Sequence, residues 1–471
     1  MALRLGSPKN GVRLRASPDA SDEPRLSAGT AGADRVRALV TVALDAMSET
    51  AATRTGPIPA GGPAAVAAAL DGLDLLPPQG VGEAVALDEL TRLLTAGSVD
   101  PAHPWCAAHL HGPTLAVAAA ADLVGSVLNP SMDSWDQAPV ASELERELTA
   151  TLARLCFPAQ ERPDAVITSG GTESNLLGLL LAREHGRTRL VCGGNAHHSV
   201  ARAAWLLGLP APRLVDTAAG RLRAGGLDLA ADEVVVATAG TTDTGAIDPL
   251  AEVGVAARQA GAWLHVDAAY GGAALFSDRL APRLAGLEHA DSVALDLHKF
   301  GWQPIAAGIL ATRAPCTALH VRADYLNAGD DTEAGIPDLL GRSIRTSRRP
   351  DCLKIAVTLR ALGRQGIAGL VEHCCTLAGQ VAREVERHPG LELWGEPTLS
   401  TVLVRPVSSD ADADVAAVRR RLLDDGTAVL GRATVDGRVW LKLTLLNPRA
   451  TLEDYRGLLD LVDATARTLA P

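Results

Sequence analysis

Aromatic residues are scarce in this chain: 7 Trp, 3 Tyr and 3 Phe amount to 3% of 471 residues, with alanine taking up much of the remaining apolar content. Seven cysteines are scattered without any Cys-x-x-Cys spacing. That spacing and the odd count exclude a paired-thiol zinc ribbon and a disulfide framework, and lead us to expect reduced thiols in a cytoplasmic protein. No apolar run approaches the ~20 residues of a membrane span. The N-terminus carries arginines but no hydrophobic stretch, so a secretory signal is not expected. Positive charge is also short: 44 basic against 55 acidic residues leave a net charge of −11, with no long basic run. Nucleic acid is therefore not an expected partner. What remains is an ordinary globular composition, 47% hydrophobic, in a chain long enough for two or three domains and a large core.

Residues 1–33 are rich in Ser, Pro, Gly and mixed charge without a periodic apolar face, and read as a disordered tail. A helical N-terminal segment follows over 34–115, with Val36, Leu39, Val40, Ala43 and Met47 at helical spacing, a turn over Gly56–Gly62, and a break at Pro77-Pro78. Gly80-x-Gly82 has no strand before it and is not a dinucleotide fingerprint. Cys106, His109 and His111 sit in an unusual loop that ends at Thr114. Their spacing is not a standard zinc pattern, so no metal is expected and the loop reads as the lining of a polar cleft. Ser142-x-x-Glu145 has the form of a capping box opening an amphipathic helix.

From about residue 160 the pattern becomes strand, turn, helix, repeatedly. Ala165–Thr168 is an expected strand that runs through Ser169-Gly170-Gly171-Thr172 into a helix, a glycine turn that suits a phosphate. Asn195-Ala-His197-His198-Ser199 opens another helix. Glu233–Ala239 ends in Gly240-Thr241-Thr242, and Trp263-Leu-His-Val-Asp267 is a buried strand with an acid at its end. The apolar Val293, Leu295 and Leu297 run into His298-Lys299, followed at once by Gly301 and Pro304. The expected fold is α/β, a mostly parallel sheet flanked by helices over residues 116–350, with a smaller α/β domain over 351–471. In open sheets of this kind ligands lie beyond the carboxyl ends of the strands. Gly171, Thr241, Asp267 and Lys299 all fall at such ends.

A phosphate cradle, a carboxylate, an imidazole and a lysine on one sheet are what pyridoxal 5'-phosphate requires. The lysine binds the aldehyde, the carboxylate keeps the pyridine nitrogen protonated, and the helix start takes the phosphate. The chain resembles the pyridoxal-phosphate-dependent amino-acid decarboxylases of the aromatic-amino-acid, glutamate and diaminobutyrate group, with their aspartate-aminotransferase-like fold. The resemblance runs from about residue 100 onward. Asp296-Leu-His298-Lys299 is similar to the family's Schiff-base motif, and His265-Val-Asp267-Ala-Ala269 to its pyridine-nitrogen motif, with Ala269 against the ring. His197-His198-Ser199 resembles the segment whose histidine stacks on the other face, His197 filling that slot. Ser169–Asn175 resembles the phosphate loop, with Gly171 and Thr172 as the implied contacts and Thr241 and His298 completing the cofactor set.

The resemblance further implies that Tyr325, opening a polar segment to about Gly341, protonates the carbon left after carbon dioxide departs, alongside Lys299 and His197 as catalytic residues. Relatives with phenylalanine there divert to oxygen-dependent aldehyde formation. Thr114 and Lys442 are the implied substrate contacts. Residues 129–139, 325–327 and 443–448 look most like decarboxylases of diamino acids such as 2,4-diaminobutyrate, lysine or ornithine. The stretch His109–Thr114 lacks the paired aromatics of the aromatic-amino-acid enzymes. The expected activity is decarboxylation of an L-amino acid to its amine. The alternative is a carbon–carbon lyase or a decarboxylation-coupled aldehyde synthase on the same fold. A homodimer with the site at its interface is implied as well.

Overall fold

The computed structural model describes residues 26–27, 29–316, 319 and 323–469. By contacts the chain forms two compact units: one of residues up to 100 together with 420–429, the other of residues 101–419 and 430–471. The expected tail lies outside the described residues except for 26–27 and 29–33, and residues 29–33 already belong to a helix. In the first unit α1 (Gly29–Ala51) lies along α3 (Glu83–Gly97), with the short α2 (Gly62–Ala68) between them in sequence. The ion pairs Arg35–Glu83 and Arg92–Glu49 join α1 to α3.

The second unit opens with α4 (Ala116–Leu128) and α5 (Pro139–Cys156). The supposed capping box does not cap. Pro139, whose missing N–H costs nothing in a first turn, starts α5 instead. Ser142 Oγ donates back to Ala138 O at 2.7 Å. Glu145 forms a buried bidentate pair with Arg348, at 2.6 and 2.7 Å.

Next comes the alternating stretch: β1 (Asp164–Thr168), α6 (Gly171–Glu184), β2 (Arg189–Gly193), α7 (Ser199–Leu206), β3 (Arg213–Val215), a small ribbon of β4 (Thr217–Ala218) and β5 (Arg221–Leu222), β6 (Glu233–Thr238), α8 (Leu250–Ala260), β7 (Trp263–Ala268), β8 (Ser292–Asp296), α9 (Leu297–Phe300) and β9 (Gly308–Thr312). Seven of these strands form one sheet in the order β1-β9-β8-β7-β6-β2-β3. Neighbours run parallel except at β9, which is antiparallel to both β1 and β8.

Side chains on a strand alternate between faces, and β6 shows what that does here. Val235 and Ala237 join the cluster that includes Leu250, Val253 and Ala257 of α8. Val234 and Val236 join Leu179, Ala182 and Ala203 of α6 and α7. Both faces are therefore covered, and the strands can be apolar throughout, as a parallel sheet requires. A buried Val or Leu on such a strand contributes about 1.5–3 kcal/mol through removal from water.

Beyond α10 (Gly329–Glu333), α11 (Cys352–Arg387) is one long helix with a kink where Gly363 takes φ +64°. The chain ends in β10 (Leu391–Leu393), β11 (Thr401–Pro406), α12 (Ala411–Asp424), β12 (Gly431–Val435), β13 (Arg438–Thr444) and α13 (Leu452–Leu469). These four strands make an antiparallel sheet, β10-β11-β13-β12. By contacts, residues 351–419 and 430–471 belong to the same unit as the seven-stranded sheet. Among the described residues no helix is long and apolar enough to cross a membrane.

Candidate active site

The carboxyl ends of β1, β6, β7 and β8 border a cleft of about 440 Å³. Its lining includes Gly171, Thr172, His197, Asp267, Ala269, His298 and Lys299. Seven residues from widely separated stretches of sequence are thus brought to one place by the parallel order of the strands.

At the β1–α6 turn Gly170 takes φ +156°, and a Cβ on it would stand 3.1 Å from His298 Cε1. A Cβ on Gly171 would meet Ala269 Cβ at 2.8 Å and Asp296 Oδ2 at 3.1 Å. Bare backbone is required, and it brings the free N–H groups of a 14-residue helix to the cleft, a ready seat for an anion. Glu173 steadies the turn by accepting the Ser169 N–H at 2.6 Å.

Lys299 lies in the single turn of α9, directly after β8. Its Nζ is 2.9 Å from Asp296 Oδ2, and the two side chains are 19% and 2% exposed. Asp296 Oδ1 is buried without a hydrogen-bond partner among the described residues. His298 Nε2 approaches the same carboxylate at 3.6 Å. Burial pulls the His298 imidazole below its usual pKa, with Asp296 opposing the shift.

Asp267, near the end of β7, accepts the Ala269 N–H at 3.1 Å on Oδ1 and an Asn175 amide N–H at 2.8 Å on Oδ2. His265 lies two residues earlier, on the same side of the strand, and is fully buried. Desolvation lowers its pKa to about 4, against the opposing pull of Asp267. His197 just precedes α7, its ring 4.0 Å from that of His198 by centroids. Burial lowers its pKa too, with Asp267 opposing.

Three expected contacts sit elsewhere. Thr241 is buried, but its hydroxyl pairs with Thr244 at 2.7 Å and it is not part of the lining, whereas Gly240 and Thr242 are. Thr114 is exposed and outside the lining. Tyr325 is 83% exposed and likewise outside. Lys442, on β13, is buried and reaches the rim by donating to Thr242 O at 3.1 Å. Desolvation lowers its pKa, with Asp243 opposing. The loop of Cys106 and His109 contributes Leu110 to the lining. It is fastened by Thr444 N–H to Ala107 O at 2.7 Å and by Leu115 N–H to Trp302 O at 2.9 Å.

Sequence reasoning passed over Asn175 and Asp296 as site residues. Each had a signal: Asn175 is one helical turn beyond Gly171, facing the sheet, and Asp296 is one turn before Lys299.

The family model described as the pyridoxal-dependent decarboxylase conserved domain matches residues 83–406. An L-2,4-diaminobutyrate decarboxylase of Rhizobium meliloti (strain 1021) is 43% identical over 429 residues, covering 85% of each chain. One of Acinetobacter baumannii is 33% identical over 439 residues, covering 83% of this chain and 85% of the relative. A solved structure is similar with TM-score 0.82 and 31% identity, covering 94% of this chain and 98% of the other. It is the glutamate decarboxylase domain of diaminobutyrate-pyruvate transaminase and L-2,4-diaminobutyrate decarboxylase from Vibrio parahaemolyticus. The chain therefore belongs to the pyridoxal-dependent decarboxylases, carboxy-lyases that use pyridoxal phosphate to convert an amino acid to its amine.

Proposed function

We propose that this enzyme decarboxylates a diamino acid, with L-2,4-diaminobutyrate first and lysine or ornithine behind it. The observation that carries this reading is the cleft at the strand ends, in a chain whose relatives at 43% and 33% identity bear the name of that activity.

The residues fit the cofactor. A glycine floor that any Cβ would obstruct, a helix start for the phosphate, and an unpartnered buried Asp296 oxygen beside Lys299 make a preformed polar seat. In this reading Gly171 and Thr172 would hold the phosphate, Ala269 and His197 would border the ring, Asp267 would pair with the ring nitrogen, and Lys299 would bind the aldehyde. The bound cofactor supplies an electron sink for the pair left when carbon dioxide departs. The protein does the rest. Asp267, fixed by two N–H donors, holds a proton on the ring nitrogen. Asp296 keeps the Lys299 amine at the strand end. Tyr325 delivers the proton that completes the amine, which requires the segment from 324 onward to approach the cleft or a second subunit to present it. Lys442 and Thr114 are held as substrate contacts, Lys442 supported by its bond to the rim residue Thr242.

A homodimer is part of the same reading. Leu44 and Met47 of α1 and Leu90 and Leu94 of α3 are exposed, apolar surface of the sort that self-association covers. Light scattering of the purified enzyme tests it: a monomer at all working concentrations removes the proposal.

Oxygen-dependent aldehyde formation is the second reading, and the exposure of Tyr325 favours it, because an unprotonated carbanion equivalent is open to oxygen. One experiment separates them. The holoenzyme is incubated in air with a panel of amino acids, and amine, aldehyde and peroxide are measured. We expect 1,3-diaminopropane from diaminobutyrate without peroxide. Faster turnover of dopa, tyrosine or glutamate, or aldehyde with stoichiometric peroxide, refutes the first reading.

A further inference from the structure

Beneath the cleft, polar groups from two strands and two helices form one hydrogen-bonded run, and the run has a direction. At its far end the Trp263 indole N–H, which can only donate, meets Ser292 Oγ at 3.1 Å. Ser292 Oγ is 2.8 Å from His265 Nδ1, and His265 Nε2 is 2.9 Å from Asn175 Oδ1. Asn175 Nδ2 reaches both Asp267 Oδ2 and Ser199 Oγ at 2.8 Å. Ser199 Oγ is 2.8 Å from His197 Nδ1.

Two chemical facts fix the polarity. A carboxylate offers only acceptors, so Asn175 must face Asp267 with its amide nitrogen and His265 with its oxygen. His265 therefore carries its proton on Nε2 and accepts from Ser292 at Nδ1. Ser199 Oγ accepts from Asn175, and the acceptor that the described hydrogen bonds offer its own proton is His197 Nδ1. The Ser199 backbone N–H points to the same atom at 3.3 Å. A ring nitrogen that receives two donors carries no proton, which leaves the hydrogen of neutral His197 on Nε2.

We propose that Asn175 is a positioning residue that sets this polarity, so that His197 meets the cofactor and substrate as a neutral imidazole presenting Nε2–H. His197 then holds an oxygen as a hydrogen-bond donor and does not supply the proton that completes the amine, because a neutral imidazole is a far weaker acid than an imidazolium. The inference rests on the reading that Asp267 and His197 border the cofactor. Burial, which lowers the pKa of both His197 and His265, keeps the rings neutral at neutral pH.

The test is a long-range ¹H–¹⁵N correlation spectrum of the ¹⁵N-histidine-labelled holoenzyme near neutral pH, without substrate, with His197→Gln used to assign the signal. The expected pattern is a neutral ring protonated on Nε2. Asn175→Asp, which gives Ser199 an acceptor in place of a donor, is expected to mix the His197 tautomers and move its titration upward. Its kcat should fall about tenfold or more, as when outer-shell partners are lost elsewhere, with KM little changed. A wild-type His197 protonated on Nδ1 overturns the proposal whether or not the variant folds. A folded Asn175→Asp enzyme with unaltered tautomer and titration does so as well. The spectra need no substrate, so a missing amine product would count against the functional reading and leave this one standing.

Discussion

Asp267 and Tyr325 belong to the same proposed reaction and could hardly be held more differently. Asp267 is 5% exposed and Tyr325 is 83% exposed. Asp267 sits on a central strand, in register with Thr238 of β6 on one side and Ala294 of β8 on the other, and both of its oxygens are bonded. Tyr325 sits on a turn outside the cleft. The contrast separates two jobs. Groups at the floor take their positions from the sheet's hydrogen-bond ladder, so they can hold a cofactor before any substrate arrives. A residue held on a turn outside the cleft, as Tyr325 is, can take part in the proposed reaction only by coming to what has bound there.

Substitution at the floor should do the most damage. Lys299→Ala is expected to abolish turnover, at least about a thousandfold, and to remove the visible band of the bound cofactor. Retention of both would show that the amine at the end of β8 is dispensable, and the contrast between the floor and Tyr325 would collapse. Asp267→Asn should fold and retain cofactor on gel filtration while turnover drops roughly a hundredfold or more, since a neutral amide holds no proton on the ring nitrogen. Near-normal kcat in that variant would take the role from Asp267.

At Tyr325 a substitution should redirect the proposed reaction. Tyr325→Phe is expected to keep the cofactor spectrum, to form about tenfold less amine or lower, and to release aldehyde, ammonia and peroxide in air. Unchanged amine with no peroxide would make Tyr325 an ordinary surface residue. The smallest effect concerns stability. His265, with a pKa of about 4 when folded, binds a proton more readily in the unfolded chain, where the ordinary value is about 6.5. Stability contributed by the neutral ring is thus present above about pH 6.5 and lost as pH falls from there toward 4. Denaturant titrations should show that loss in the wild type and a shallower one in His265→Gln. Parallel pH profiles would mean that His265 does not titrate in this window.

The strand ends were legible because their signals are local. Gly170-Gly171, the acid closing β7, and His298-Lys299 each stand where an apolar run breaks at a turn, and alternation along β6 gives a two-sided sheet directly. The network under the floor was not legible. Asn175, Ser199 and His265 lie on α6, α7 and β7, and only the sheet order brings them together. Thr241 shows the opposite failure: its position at a strand end is right for the cleft, but a hydroxyl three residues on, at Thr244, takes its side chain. Ser142 and Glu145 had the spacing of a cap, and Pro139 had the stronger claim to the first turn.

Lys299 is the residue proposed to hold the cofactor. Borohydride reduction of the wild-type holoenzyme, followed by digestion and mass spectrometry of the peptides, tests it most directly. The expected product is a reduced pyridoxyl phosphate adduct on Lys299, in the peptide that also contains His298. An adduct on another lysine, Lys442 and the buried Lys354 included, or no adduct at all, would contradict it.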